Sequence, residues 1–110
     1  MATTRYPAVA GAFYPAEADR LSLEISTFLQ QASTKGNPPK ALIAPHAGYI
    51  YSGPIAATAY SRLQQAHDTI RRVVLLGPSH RVAFRGLATS SADEFLTPLG
   101  TISLDKDAIK

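Results

Sequence analysis

Two short runs made wholly of apolar residues, Ala41–Ala44 and Val73–Leu76, restrict this chain more than any other feature. A strand that faces water on one side alternates polar and apolar residues. A strand buried on both faces does not, and such strands belong mainly to parallel sheets covered by helices. Pro39 and Pro45 bound the first run, and Gly77-Pro78 closes the second. Between them, Pro54 is suited to open a helix, because its missing N–H costs nothing in a first turn. Ala56, Ala59, Tyr60 and Leu63 then fall on one face as its buried stripe. Strand, helix and strand in this order predict a parallel pair joined by a right-handed crossover, and hence an α/β fold with a largely parallel sheet and flanking helices.

An earlier helix is predicted over about Ala16 to Gln31. Leu21, Ile25, Phe28 and Leu29 recur at i, i+4, i+7 and i+8, and Gly36-Asn37-Pro38-Pro39 ends it. The opening, Arg5 to Pro15, reads as an ordered irregular lead-in. Leu87 to Ser90 is a weak candidate for an extended segment. Thr97-Pro98-Leu99-Gly100 is a turn, and the alternation of Thr101 to Leu104 predicts an edge or hairpin strand.

The placement of two histidines follows from this order. His46 lies just beyond the first apolar run and His80 just beyond the second. In a strand–helix–strand unit both positions fall at the carboxyl edge of the sheet, where open α/β folds bind ligands. Neighbouring strands about 4.8 Å apart bring two such imidazoles within reach of one metal ion. The plainer alternative is a pair of ordinary hydrogen-bonded or surface histidines. His67, among Gln65, Asp68 and Arg71, reads as solvent-exposed. Gly48 and Gly53 allow tight turns or close ligand approach. The helix start after Gly53 offers free N–H groups and a dipole that favours anions. Tyr49 and Tyr51 flank the crevice, as substrate-orienting groups or as cover for a core edge. Asp93 and Glu94 read as a solvated loop, with a supporting role at the site as the alternative.

Several classes are set aside. The net charge of +3 comes from scattered basic residues, with no basic stripe interleaved with aromatics, so nucleic acid is a poor partner. There is no cysteine, and hence neither a disulfide framework nor a thiolate ligand within these residues. No apolar run is long enough for a membrane span, and no signal peptide is evident, so the expected location is the cytoplasm. Neither a Walker A motif, a GxGxxG fingerprint nor a nucleophile elbow is present.

The segments Arg5-Tyr6-Pro7, Ala10-Gly11-Ala12-Phe13-Tyr14-Pro15, Pro45-His46-Ala47-Gly48-Tyr49-Ile50-Tyr51-Ser52-Gly53, Gly77-Pro78-Ser79-His80 and Thr97-Pro98-Leu99-Gly100, in this order, resemble the Memo family. Its bacterial and archaeal members are called AmmeMemoRadiSam system protein B. The resemblance covers nearly the whole chain. It implies an α/β fold similar to the class III, LigB-type extradiol dioxygenases, which hold non-haem Fe(II) with two His and one carboxylate. It further implies that His46 and His80 are metal ligands, that Tyr51 stands beside the cleft, and that a further Cys or His ligand comes from the C-terminal half of the family domain. Fe(II) is the expected metal, with copper as the second candidate. No cysteine is present and no histidine follows His80, so residues 1–110 are expected to form the N-terminal portion of a truncated family domain, inactive alone. Two functions remain open. One is a dioxygenase-like, metal-dependent oxidoreductase acting on a small molecule. The other is a non-catalytic binding module or adaptor, since the mammalian member is described as binding a phosphotyrosine-bearing receptor tail. Its partners would be a phosphopeptide, or the AMMECR-type or radical SAM proteins that the family name implies.

Overall fold

Amphipathic periodicity places the first long helix where the apolar stripe predicts it. The computed structural model describes residues 1–32 and 36–110. Helix α1 spans Ala18–Gln31, with Leu21 fully buried and Ile25, Phe28 and Leu29 half-buried along one face. Helix α2 spans Tyr49–Tyr60 and packs across α1, continuing into a 3-10 turn over Ser61–Ala66. The contact is built from small residues. Ser52, Gly53 and Ala57 are the buried positions of α2, and Ser61, at 0 % exposure, follows them. Gly53 sets the closeness of approach, because a β-carbon there would lie 2.6 Å from Phe28 Cε2.

The remaining elements form a small mixed sheet in the order β1-β2-β3: β1 (Thr4–Arg5), β2 (Glu94–Thr97) and β3 (Gly100–Ser103). β1 runs parallel to β2, pairing Thr4 with Glu94 and Arg5 with Phe95. β2 and β3 form an antiparallel hairpin, in register from Glu94↔Ser103 to Thr97↔Gly100. The Thr97 hydroxyl organises the turn, donating to the Gly100 carbonyl at 2.9 Å and accepting the Leu99 amide at 3.1 Å. Gly100 adopts φ +135°, which other residues avoid. A last single-turn helix, α3 (Lys106–Ile109), is capped by the Asp105 carboxylate, which accepts the Ala108 amide at 3.0 Å. Helices plus this mixed sheet make the chain α/β, and the hairpin expected around Thr97–Gly100 is present.

Four expectations are corrected. First, α2 begins at Tyr49, five residues before Pro54, which lies inside the helix. The Gly48 carbonyl already accepts the Tyr51 and Ser52 amides at 2.9 and 3.1 Å, so the helix nucleates upstream of the proline. Its buried face accordingly centres on Ser52, Gly53 and Ala57, while Tyr60 is exposed.

Second, Ala41–Ala44 and Val73–Leu76 form no strand and no parallel pair. Among the described residues the one parallel ladder is the short β1–β2 pairing. Val74 and Leu75 are 87 % and 81 % exposed. A wholly apolar strand needs neighbouring strands and cover on both faces, and among the described residues neither run has a ladder partner. Third, Leu87 to Ser90 is irregular. Fourth, Asp93 and Glu94 clamp the N-terminus. Asp93 accepts the Thr3 amide at 2.8 Å and Glu94 accepts the Thr4 hydroxyl at 2.5 Å.

Candidate metal centre at the His46 and His80 loops

The lead-in segment builds the first loop. Val9 to Tyr14 folds into a tight turn in which the Val9 carbonyl accepts the Ala12 and Phe13 amides at 3.0 and 2.9 Å. Gly11 supplies the positive φ that the turn requires, +86°. The turn presents the Phe13 carbonyl to the start of α2, where it accepts the Tyr49 amide at 2.8 Å. Gly48, the buried N-cap of α2, lies against the same turn. His46 therefore sits two residues before a helix start that is anchored from outside. The helix end lies at Gly48 and not at Gly53, and the Tyr49, Tyr51 and Ser52 amides there are already engaged, so they are not the free N–H groups expected for an anion.

The second loop is held locally. Ser79 donates its hydroxyl to the Val82 carbonyl at 2.5 Å and accepts the Val82 amide at 3.3 Å. Between these two residues, His80 places Nδ1 3.0 Å from the Pro78 carbonyl oxygen. A carbonyl oxygen can only accept, so this contact is a hydrogen bond when Nδ1 is a protonated ring nitrogen, and it leaves Nε2 without a protein partner of its own among the described residues.

These two loops bring His46 and His80 together. Their ring centroids are 5.3 Å apart and their planes cross at 89°. With metal–nitrogen contacts of about 2.1 Å and a ring radius of about 1.1 Å, two imidazoles on one tetrahedral ion have centroids about 5.2 Å apart. The observed separation thus fits two positions of one coordination shell, and two neutral imidazoles suit Fe(II), Cu or Zn. An edge-to-face contact between rings has the same range of distances. Both histidines are solvent-exposed. Among the described residues no third His, Cys, Asp or Glu joins them. A metal there would complete its shell with water or with a donor from elsewhere.

The other predicted site residues divide. Gly48 is structural in position, as described. Tyr49 turns into the protein, with its ring 5.7 Å from Tyr14 and 6.3 Å from Phe28. Burial pushes its phenol above the ordinary tyrosine value, and Tyr14, Glu24 and Tyr60 act in the same direction. Tyr51, 80 % exposed, faces solvent. His67 is exposed and pairs with Asp68 at 3.1 Å, as its polar surroundings predict. A cavity of about 640 Å³ opens between α1 and α2, with an apolar wall that includes Phe13, Phe28, Tyr49 and Leu75 and with His46 at its border. Sequence reasoning missed three groups that hold the histidines: the Phe13 and Pro78 carbonyls and the Ser52 hydroxyl. The carbonyls carry no residue-type signal. Ser52 does, as a polar residue on an otherwise apolar helix face.

Comparisons with known proteins agree with the motif pattern. The family model described as Memo-like protein matches residues 5–110. The chain is 43% identical over 97 residues to "Protein MEMO1" of Xenopus tropicalis, covering 88% of this chain and 32% of that protein. The Homo sapiens "Protein MEMO1" is 39% identical over the same shares. A "MEMO1 family protein" of Aquifex aeolicus (strain VF5) is 38% identical over 101 residues, covering 92% of this chain and 36% of the relative. The chain thus spans about one third of the length of these relatives. The tight His46 and His80 loops, the matched family model and the relatives from vertebrates and a bacterium all lead to one conclusion: the chain belongs to the Memo family.

Proposed function

We propose that His46 and His80 are two protein ligands of a non-haem metal site, and that the complete site serves a redox function of the kind carried out by LigB-type extradiol dioxygenases. One observation carries this reading: the 5.3 Å, perpendicular approach of the two imidazoles, delivered by two separately anchored loops. Fe(II) is the proposed metal, with copper as the alternative. Bound there, it would supply Lewis acidity and redox capacity. The chain's own contribution is to bring two imidazole rings to 5.3 Å, beside a cavity with a largely apolar wall. With two protein ligands, this chain alone is proposed to be catalytically inactive. The LigB-like relationship and a cytoplasmic location belong to the same proposal.

The test is Fe(II) loading of the purified chain under anaerobic conditions, with His46→Ala and His80→Ala alongside. About one ion per chain, lost in both variants, is the expected outcome. Equal loading of all three proteins, or no loading of any, refutes the pair as a metal site.

A second reading is a binding module without turnover, and the exposed run Val73–Leu76 favours it. Contiguous apolar surface calls for polypeptide cover, supplied either by further strands of a family domain or by a partner protein. It fits a polypeptide partner, such as the AMMECR-type or radical SAM proteins of the family's system. It gives no support to a phosphopeptide, which calls for cationic pockets.

A further inference from the structure

The geometry points to Ser52 and Ser79 as positioning residues, one for each histidine, whose hydroxyls set the direction of the two loops and the tautomer of His80. The inference rests on reading His46 and His80 as a ligand pair, and it names what this chain does to make them one.

Ser52 is the stronger anomaly. Helical Ser and Thr hydroxyls usually bond back within their own helix. Two residues here do so: Thr27 to the Leu23 carbonyl at 2.8 Å and Thr58 to the Pro54 carbonyl at 3.1 Å. Ser52 reaches out of its helix instead. It donates to the Ala47 carbonyl at 2.9 Å, across the N-cap and onto the residue directly after His46. Ser52 is 6 % exposed, so a lost partner could not be replaced freely by water. The bond ties Ala47, the residue next to His46, to the buried face of α2, whose Tyr49 amide is itself fastened to Phe13.

Ser79 does the same work on the other loop by different means. Its two bonds to Val82 close a ring around His80. Within that ring the Pro78 carbonyl lies where it accepts from Nδ1. The bond leaves Nε2 as the free donor nitrogen and orients the imidazole. Ligating histidines are commonly held this way, by an acceptor on the other ring nitrogen. The Ser79 hydroxyl both donates to and accepts from the Val82 backbone.

The experiment separates this inference from the metal reading. Three variants are compared with the wild-type chain: Ser79→Ala, Ser79→Thr and Ser52→Ala. Two signals are recorded: long-range ¹H–¹⁵N correlation spectra of the metal-free chain, and Co(II) affinity read from its visible absorption. In the wild type, His80 shows a protonated Nδ1 and an unprotonated Nε2. Ser79→Ala loses that bias and weakens Co(II) binding by about 10-fold or more. Ser79→Thr keeps the hydroxyl and retains both properties. Ser52→Ala weakens Co(II) binding to a similar degree with the His80 tautomer unchanged, and far-ultraviolet circular dichroism checks its helices. Wild-type tautomer and affinity in Ser79→Ala overturn the role of Ser79. Wild-type affinity in a folded Ser52→Ala overturns that of Ser52. A wild-type chain that takes up no Co(II) sinks the metal reading, while the tautomer comparison still decides whether Ser79 orients His80.

Discussion

Replacing Gly53 by alanine opposes two effects of known size at one atom. In an exposed helix interior, glycine to alanine stabilises by about 1 kcal/mol, because glycine loses more backbone entropy on folding. Gly53 is not exposed. The new methyl would lie 2.6 Å from Phe28 Cε2, 3.1 Å from Cζ and 3.2 Å from Cδ2. Carbon atoms rest about 3.5–4.0 Å apart, so either the Phe28 ring or the whole of α2 must retreat by about 1 Å. Overpacking of this kind costs about 1–3 kcal/mol. The balance is a net loss of about 1 kcal/mol, or a fall in melting temperature of about 4–8 °C for a domain this small. Thermal and urea unfolding of Gly53→Ala measure it. Phe28→Leu supplies the control, since it removes the ring that the methyl strikes. In that background Gly53→Ala should become neutral or stabilising, with a coupling energy of about 1 kcal/mol or more. If Gly53→Ala raises the melting temperature in the wild-type background, α1 and α2 are not in the close contact described, and the reasoning fails.

Other consequences can be checked in parallel. Gly100→Ala has free space around it but a backbone at φ +135°, so it should cost about 1–3 kcal/mol in thermal unfolding through strain alone. Asp93 is held below the ordinary aspartate range chiefly by the Thr3 amide, with Lys106 assisting. Its folded pKa is depressed, so its contribution is complete above the unfolded value and is lost as pH falls through the folded one. The melting temperature should therefore drop more on acidification below the ordinary aspartate range in the wild type than in Asp93→Asn. Val74→Lys changes a residue that is 87 % exposed, so stability should move by no more than about 0.5 kcal/mol. Solubility should rise in the same variant, as light scattering would show, because a charge now interrupts an exposed apolar run.

Helix α1 was legible because its signal is local, with Leu21, Ile25, Phe28 and Leu29 repeating at the period of the helix itself. The hairpin was legible for a similar reason, since Thr97-Pro98-Leu99-Gly100 fixes its own turn. The start of α2 was not, because proline rules describe cost and the Gly48 and Phe13 bonds outweigh it. β1 escaped notice because its partner lies 90 residues away in sequence, and β2 because Glu94 to Thr97 shows no alternation of its own, although its hairpin partner is adjacent. The two apolar runs state a demand for burial, and the described residues do not meet it. The expected meeting of His46 and His80 depended on the pairing of those two runs, which does not form; the 5.3 Å approach of the rings is delivered by loops held in other ways. What holds the histidines was hidden, since backbone carbonyls such as those of Phe13 and Pro78 leave no mark on a sequence.

The pairing of Thr4 with Glu94 has a kinetic meaning as well as a structural one. It joins positions 90 residues apart. Closing a flexible loop of that length costs about 4 kcal/mol in chain entropy beyond a constant. The β2–β3 hairpin closes almost at once by comparison, and α1 and α2 meet across a much shorter connection. Assembly should thus run from the middle outward, with the first strand arriving last. The same strand should be first to leave. Its two residues and the few hydrogen bonds from Thr3 and Thr4 make it the weakest cooperative unit of the sheet, opening and closing many times for each global unfolding event.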